Sequence, residues 1–171
     1  MIVVIEAPDE SYCDGMEFIH ENQFGYRQKN SSIFTSIFLA GGISSCPDWQ
    51  GELIQKIKQY RFQKNYTFYN PRRKIFHDSN AVEIQIKWEY ERLKKSDIII
   101  FWFSEGGLNS IVLYELGLHG NSHNRKIIVG VHPDYERKQD VIIQTNLARP
   151  DINIVHSLDD IVKNLLIIDA K

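Results

Sequence analysis

Glu115 is the first residue whose position indicates chemistry. It lies in the segment DIIIFWFSEGGLNSIVLYELG, residues 97–117, where an apolar strand breaks at a Gly pair and a helix follows. Asn109 or Ser110 can cap that helix, which places Glu115 about one and a half turns in. Because open α/β sheets bind ligands where their strands end, this carboxylate is predicted to lie near a site. The alternative is a carboxylate on the helix surface.

Glu89 is a second acidic residue of interest, because it interrupts an apolar helix face in AVEIQIKWEYERLKKS. It is the only charge on a face formed, at four, three, four spacing, by Val82, Ile86, Glu89 and Leu93. Burial would raise the pKa of this carboxyl group toward the range of a general acid. Alternatively, Glu89 lies at the edge of the face or pairs with a buried Arg. A solvated face is predicted for Glu83, Glu91, Arg92, Lys94 and Lys95.

Two carboxyl groups at different depths are suited to cleaving a glycosidic bond, one as nucleophile and one as acid. The chain lacks the GxGxxG and GxxxxGK[ST] phosphate loops and the GxSxG nucleophile turn. His119 and His123 have the spacing of a helical metal pair, but HGNSH is typical of a helix end and no third ligand is obvious. We therefore expect neither a metal nor a cofactor.

Polar residues after two other predicted strands can bind a substrate. In IFLAGGISSCPDW, backbone N–H groups after the Gly pair suit a phosphate, a hydroxyl or a carboxylate. Asp48 and Trp49 follow, and Trp49 either stacks on a base or packs in the core. In YNPRRKIFHDSN, the residues able to contact a base edge or a sugar hydroxyl are Asn70, Arg72, Arg73 and Asp78. Asn70 is the best of these, whereas Arg73 and Lys74 are typical of solvated loop charge.

The elements that position these residues alternate along the chain. Strands are predicted at Ile2–Glu6, Ser36–Ala40, Tyr66–Tyr69, Asp97–Phe103 and Lys126–His132. Helices are predicted at Asp48–Gln63, Ala81–Lys95, Ser110–Asn121 and Asp159–Ile168. Strands separated by helices imply βαβ units. The sequence therefore predicts an α/β fold: a single Rossmann- or flavodoxin-like domain over residues 1–171, with a mainly parallel five-stranded sheet and helices on both faces.

Residues 7–35 break this alternation. They are polar and rich in turn formers, with a few aromatic residues among them. So long a connection is either a functional lid or a disordered insertion, and its aromatic residues favour a lid.

The overall composition narrows the class of partner. With 20 basic and 22 acidic residues, the chain has no bulk charge that favours nucleic acid or an anionic membrane. No apolar run approaches the roughly 18 residues that span a bilayer, and MIVVIEAPDE lacks the basic start of a signal peptide. Cys13 and Cys46 are too few for a disulfide framework. We expect a cytoplasmic protein that binds neither nucleic acid nor membrane.

The motifs IFLAGG, YNPRR, KWEYERLKKSDIIIFWF and LYELG occur in that order. This order resembles the nucleoside 2-deoxyribosyltransferase-like family, which includes a branch of nucleotide N-hydrolases. The resemblance covers most of the chain from Ser36 to the C-terminus, and Ile2 to Pro8 fits the extra leading strand of one subgroup. Its most specific feature is LYELG combined with an acidic residue eight positions before Asp97.

The resemblance implies a role for each candidate. Glu115, in the ELG motif, is expected to attack the anomeric carbon, and Glu89, where many members have Asp, to protonate the departing base. Asn109 occupies the position where transferases of the family usually carry Asp and nucleotide hydrolases carry Ser. An amide can hydrogen-bond either a hydroxyl or a phosphate. The sugar-contacting loop of the family maps to Gly41, Gly42 and Ser44. The predicted substrate-binding residues are Gly41, Gly42, Ser44, Asp48, Trp49, Asn70, Asn109 and Ser110.

These expectations favour an enzyme that cleaves or transfers at the N-glycosidic bond of a (deoxy)nucleoside or nucleotide through a covalent glycosyl-glutamate intermediate. Capture by a second base makes it a transferase, which we favour, and capture by water makes it an N-glycosidase. A non-catalytic nucleotide sensor is a third alternative, disfavoured by the presence of both glutamates. The expected partner is a small-molecule nucleoside or nucleotide. The resemblance also implies a homo-oligomer, a dimer or larger, because a neighbouring subunit often completes the site in this family.

Overall fold

The computed structural model describes residues 1–7, 34–73, 81–121 and 125–171. Within these ranges the strands are β1 Ile2–Glu6, β2 Phe34–Gly41, β3 Asn65–Asn70, β4 Ile98–Phe103 and β5 Lys126–Val131. The helices are α1 Trp49–Ile57, α2 Ala81–Lys95, α3 Ser110–His119, α4 Lys138–Ala148 and α5 Leu158–Asp169.

The strands form one parallel sheet in the order β1-β3-β2-β4-β5. This confirms the predicted α/β fold with a five-stranded parallel sheet. From β2 the chain crosses to β3 on one side of it and then returns to β4 on its other side. The order in which strands are added to the sheet therefore reverses between β2 and β4. Gly41 and Trp102 are register partners at the carboxyl ends of these two strands. A ligand crevice is expected at such a reversal point.

Alternate residues of each strand pack on opposite faces of the sheet, as β4 illustrates. Ile98, Ile100 and Trp102 pack with residues of α1 and α5, whereas Ile99 and Phe101 pack with residues of α2, α3 and α4. The whole of β4 is therefore buried, which explains its uninterrupted apolar sequence. Both predicted glutamates belong to helices of the second face.

Two helices differ from the prediction. Helix α1 ends at Ile57 rather than Gln63, and the carboxylate of Asp169 accepts hydrogen bonds from the backbone N–H groups of Gln63 and Lys64 at 2.7 and 3.0 Å. Helix α4 was not predicted. Its buried residues are Val141 and Thr145, so its apolar periodicity is weak, and three β-branched residues in a row favour a strand locally.

Half of the predicted apolar face of α2 is wrong: Val82 and Ile86 are 72% and 59% exposed, whereas Leu93 is buried and Glu89 lines a cavity. The helix is rotated so that Trp88 faces the sheet, with its ring centroid 6.1 Å from that of Tyr69. Arg92, expected on the solvated face, is buried and places its guanidinium carbon 5.3 Å from the centre of the Tyr69 ring. Burial of a large indole ring outweighs burial of two aliphatic side chains, and the rings stabilise the cation beside them.

Some predictions concern residues beyond the described ranges. Most of the predicted 7–35 insertion, as well as Asp78 and His123, lies outside the described residues. Phe34 and Thr35, which were assigned to the insertion, belong to β2. Among the described helices, none has the length and apolar character required to cross a bilayer.

Candidate active site

The loop after β2 packs so closely on its neighbours that it requires glycine. A Cβ atom on Gly42 would overlap Oδ1 of Asn109 and Sγ of Cys46, and one on Gly41 would overlap the Trp49 ring. Glycine at both positions therefore allows the loops after β2 and β4 to meet without a gap. These two loops form one wall of a cavity.

Asn109 shapes the second loop. Its φ of 51° lies in the left-handed region, which Asn tolerates better than most residues. Its Nδ2 donates hydrogen bonds to the carbonyl oxygens of Ser104 and Gly107, each at 3.1 Å, and its Oδ1 accepts a bond from the Cys46 thiol at 3.5 Å. Asn109 thus occupies the N-cap position of α3, as predicted, but its side chain stabilises the loop and makes no capping bond to the helix.

A cavity of about 300 Å³ opens between these loops and the helices α2 and α3. It combines apolar walls with the two acidic side chains Glu89 and Glu115. Five of the eight predicted substrate-binding residues line it: Gly41, Gly42, Ser44, Asn109 and Ser110. The apolar wall includes Phe38, Ile43, Pro71, Leu108 and Ile111. The fold therefore brings two acidic residues from different helices to one cavity, at the place where the strand order reverses.

The two carboxyl groups have unequal surroundings. Burial, and then the charge of Glu89, raise the pKa of Glu115 to about 8. Burial also raises the pKa of Glu89, but a hydrogen bond from Gln85 and the charge of Arg73 oppose that rise. Between the two titrations the pair holds one proton, and the contacts of Glu89 with Gln85 and Arg73 favour its placement on Glu115. A site with one protonated and one ionised carboxyl group holds both an acid and a potential nucleophile.

A known protein family matches the part of the chain that contains this cavity. The family model described as "Nucleoside 2-deoxyribosyltransferase like" matches residues 35–135, which is more than half of the chain. The chain belongs to this family. The match spans β2 through β5 and includes Glu89 and Glu115, so the resemblance inferred from the sequence motifs is confirmed.

No curated protein matches the chain. Among solved structures, the chain is similar to a conserved protein from Enterococcus faecalis V583, with 16% sequence identity and a TM-score of 0.49. That similarity covers 76% of this chain and 96% of the other.

In this member of the nucleoside 2-deoxyribosyltransferase-like family, three predicted binding residues do not line the cavity. Trp49 is 2% exposed and donates from Nε1 to the carbonyl oxygen of Gly42 at 3.1 Å. Asp48 forms an ion pair with Arg72 at 3.0 Å, and Asn70 accepts a hydrogen bond from the backbone N–H of Arg72 at 3.0 Å. Trp49 thus stabilises the glycine loop from within the core, whereas Asp48 and Asn70 line a separate cavity beside Arg72.

Two residues beside Glu89 have roles that were not predicted. Arg73, named as a possible contact to a base or sugar but favoured as a solvated loop charge, is 9% exposed and donates a hydrogen bond to Gln85. Gln85 in turn donates to Glu89. The four-residue separation of Gln85 and Glu89 on one helix was the available signal. Within residues 1–7, 34–73, 81–121 and 125–171, no group of three or more His, Cys, Asp or Glu side chains is placed to hold a metal ion.

Proposed function

We propose that this protein is an N-glycosyl transferase that cleaves the N-glycosidic bond of a (deoxy)nucleoside and transfers the sugar to a second base. The observation that carries the proposal is the pair Glu89 and Glu115, which line one cavity from separate helices and differ in their affinity for a proton. The family match supports the same chemistry.

The reaction proceeds in two steps. The Glu115 carboxylate attacks the anomeric carbon and forms a glycosyl ester, while the bond to the base breaks and Glu89 protonates a base nitrogen. In the second step a new base attacks the ester from the vacated side, Glu89 accepts its proton, and Glu115 is released. Two displacements predict retention of configuration at the anomeric carbon. Water in place of the second base would give free sugar.

The first step requires the shared proton on Glu89 and the negative charge on Glu115. In the free protein the opposite distribution is favoured, because Gln85 and Arg73 stabilise ionised Glu89. A bound base that accepts a hydrogen bond from Glu89 favours a proton at that position. Positive charge that develops on the sugar favours ionised Glu115. Substrate binding therefore selects the reactive distribution of the proton.

Asn109 supports a nucleoside as substrate over its 5′-monophosphate. Both hydrogens of the Asn109 amide are donated to Ser104 and Gly107 within the loop, so its oxygen, which also accepts from the Cys46 thiol, is the atom with an acceptor position left for a ligand. An oxygen acceptor suits a sugar hydroxyl, which can donate, and disfavours a phosphate. The charged side chains in the described lining of the cavity are both acidic, which also opposes a phosphate dianion.

A panel experiment tests the function. The protein is incubated with nucleosides and with their 5′-monophosphates, with and without a second base, and released and exchanged bases are separated by chromatography. We expect base exchange with nucleosides and much slower reaction with monophosphates. Free base and sugar in equal amounts, without exchange, would instead identify the hydrolase, and binding without turnover would identify the sensor. Preference for monophosphates would contradict the assignment of Asn109.

We also propose that the protein forms a homo-oligomer through the outer surfaces of α2 and α3. Apolar side chains on these surfaces, all at least half exposed, are Val82, Ile86, Tyr90, Ile111, Tyr114 and Leu118. They occur at helical spacing on the same two helices that carry the two glutamates. Exposed apolar surface of this kind is typical of subunit contacts, and most such contacts are two-fold symmetric.

The variant Tyr114→Glu is expected to dissociate the oligomer, because it places a charge in the apolar contact. Light scattering coupled to size-exclusion chromatography should give at least a dimer mass for the wild type and a monomer mass for the variant. Tyr60→Glu is a matched control, since Tyr60 is also exposed but follows α1. A monomeric wild type at micromolar concentration would contradict this proposal without affecting the assignment of the glutamates.

A further inference from the structure

The side chain of Gln85 makes three hydrogen bonds next to the cavity. Its Oε1 accepts from Nε of Arg73, and its Nε2 donates to the Pro71 carbonyl at 2.7 Å and to Oε1 of Glu89. A guanidinium group only donates and a carbonyl group only accepts, so the amide cannot be reversed. An N–H group of Gln85 therefore points at the Glu89 carboxyl group.

We propose that Gln85 is a positioning residue for Glu89: Arg73 and Pro71 fix its amide, and the amide holds the Glu89 carboxyl group at the cavity as a hydrogen-bond acceptor. The inference rests on the proposed function, in which Glu89 donates a proton to the departing base. Pro71 and Glu89 both line the cavity, and Gln85 donates a hydrogen bond to each of them.

The arrangement strengthens Glu89 as an acid. Within the described residues, the charged side chains that act on Glu89 are Arg73, from the segment after β3, and Glu115, from α3. The donor from Gln85 and the charge of Arg73 stabilise the carboxylate, whereas the like charge of Glu115 opposes it. A carboxyl group with a stabilised conjugate base releases its proton more readily to the leaving base. Gln85 also restricts the side-chain rotamers of Glu89, which keeps the proton directed at the substrate.

Two substitutions of Gln85 distinguish the effect of its N–H donor from the effect of its size. Gln85→Met has a similar length but no polar hydrogen. Gln85→Glu keeps an acceptor for Arg73 and brings a negative charge to Glu89. Gln139→Met, at an exposed position of α4, controls for the change of residue type. Carbon-13 NMR titration of the glutamate carboxyl groups in the free protein, assigned with the Glu89→Gln spectrum, measures the effect without turnover.

We expect the titration midpoint of Glu89 to rise by about one pH unit in Gln85→Met, the size of a lost hydrogen bond to a charged group. It should rise further in Gln85→Glu and stay unchanged in Gln139→Met. The acidic limb of the kcat/KM profile should move in the same direction, and kcat should fall more than KM changes. In the Glu89→Gln background, Gln85→Met should have no further effect on kcat, because the residue that it positions is absent.

The outcomes distinguish this inference from the proposed function. Unchanged Glu89 midpoints in both folded Gln85 variants would overturn the role of Gln85, even if the wild type exchanges bases. An inactive wild type with shifted midpoints would leave the contact between Gln85 and Glu89 established and overturn its catalytic use. If Gln85→Met fails to fold, Gln85→Glu still decides the question, because it retains the acceptor that Arg73 needs.

Discussion

Glu115→Gln should lose base-exchange activity by about 10⁴-fold or more, the scale seen when a covalent nucleophile is removed. The amide has nearly the shape of the acid but cannot form the glycosyl ester. Quenched reactions of the wild type with a nucleoside, without an acceptor base, should show by intact mass an adduct of one sugar. The variant should show none. Glu136→Gln, at an exposed position, is the matched control and should retain full activity. Substantial activity in Glu115→Gln would exclude this residue as the nucleophile.

The same variant should be more stable than the wild type, which separates loss of chemistry from loss of fold. The pKa of Glu115 is raised from 4.5 to about 8, so the folded state disfavours its ionised form. This penalty is absent below pH 4.5, grows as the pH rises and is complete above about 8. Denaturant titration at pH 8.5 should therefore give Glu115→Gln a higher free energy of unfolding, by about 2 to 4 kcal/mol, and at pH 4 the two proteins should be equal.

The parts of the site that the sequence predicted are those with a strong local pattern. The apolar run of β4 and the Gly pair after β2 are strong local signals for a buried strand and a closely packed turn, and the structure places Gly41, Gly42 and Glu115 at one cavity. Glu89 was placed near the cavity from a helix face of which half proved to be wrong. The orientation of α2 depends on Trp88 and Arg92, which pack on a ring from a distant strand. The sequence of α2 alone gives no information about that contact.

The supporting residues of the site could not be predicted for a related reason. Trp49 and Asn70 have the residue types of a binding site, yet they are used to stabilise the glycine loop and Arg72. Arg73 has the residue type of a solvated charge, yet it is buried against Gln85. In each case the role is set by which polar partner lies within hydrogen-bond distance across the fold. Once the residue is buried, its polar group needs that hydrogen-bond partner, because an unpaired polar group is costly to bury.

Glu89→Gln should reduce exchange of ordinary nucleosides by about 10²- to 10⁴-fold, the usual contribution of a general acid. The effect should depend on the leaving group. A purine nucleoside methylated at N7 already carries the positive charge that protonation would supply, so its base leaves as a neutral molecule. Single-turnover rates of base release, which exclude the second step in which Glu89 accepts a proton, should therefore fall much less for 7-methyl-2′-deoxyguanosine than for 2′-deoxyguanosine. Equal losses for both substrates would exclude Glu89 as the proton donor. The control Glu83→Gln changes an exposed acid of the same helix and should leave both rates unchanged.

The pH profile of this variant carries the stronger test of the shared proton. The wild type needs one ionised and one protonated carboxyl group, so kcat/KM should rise as the pair loses its first proton and fall above about pH 8 as it loses the second. In Glu89→Gln the like charge beside Glu115 is gone, which lowers the pKa of Glu115. Burial still raises the pKa of Glu115 in the variant. The residual activity toward the methylated substrate should therefore rise at no lower pH than in the wild type, where Glu89 loses the first proton, and then remain constant at high pH, because no acid is left to lose. A high-pH limb that persists in the variant would assign the second ionisation to another group and remove the shared proton from the mechanism.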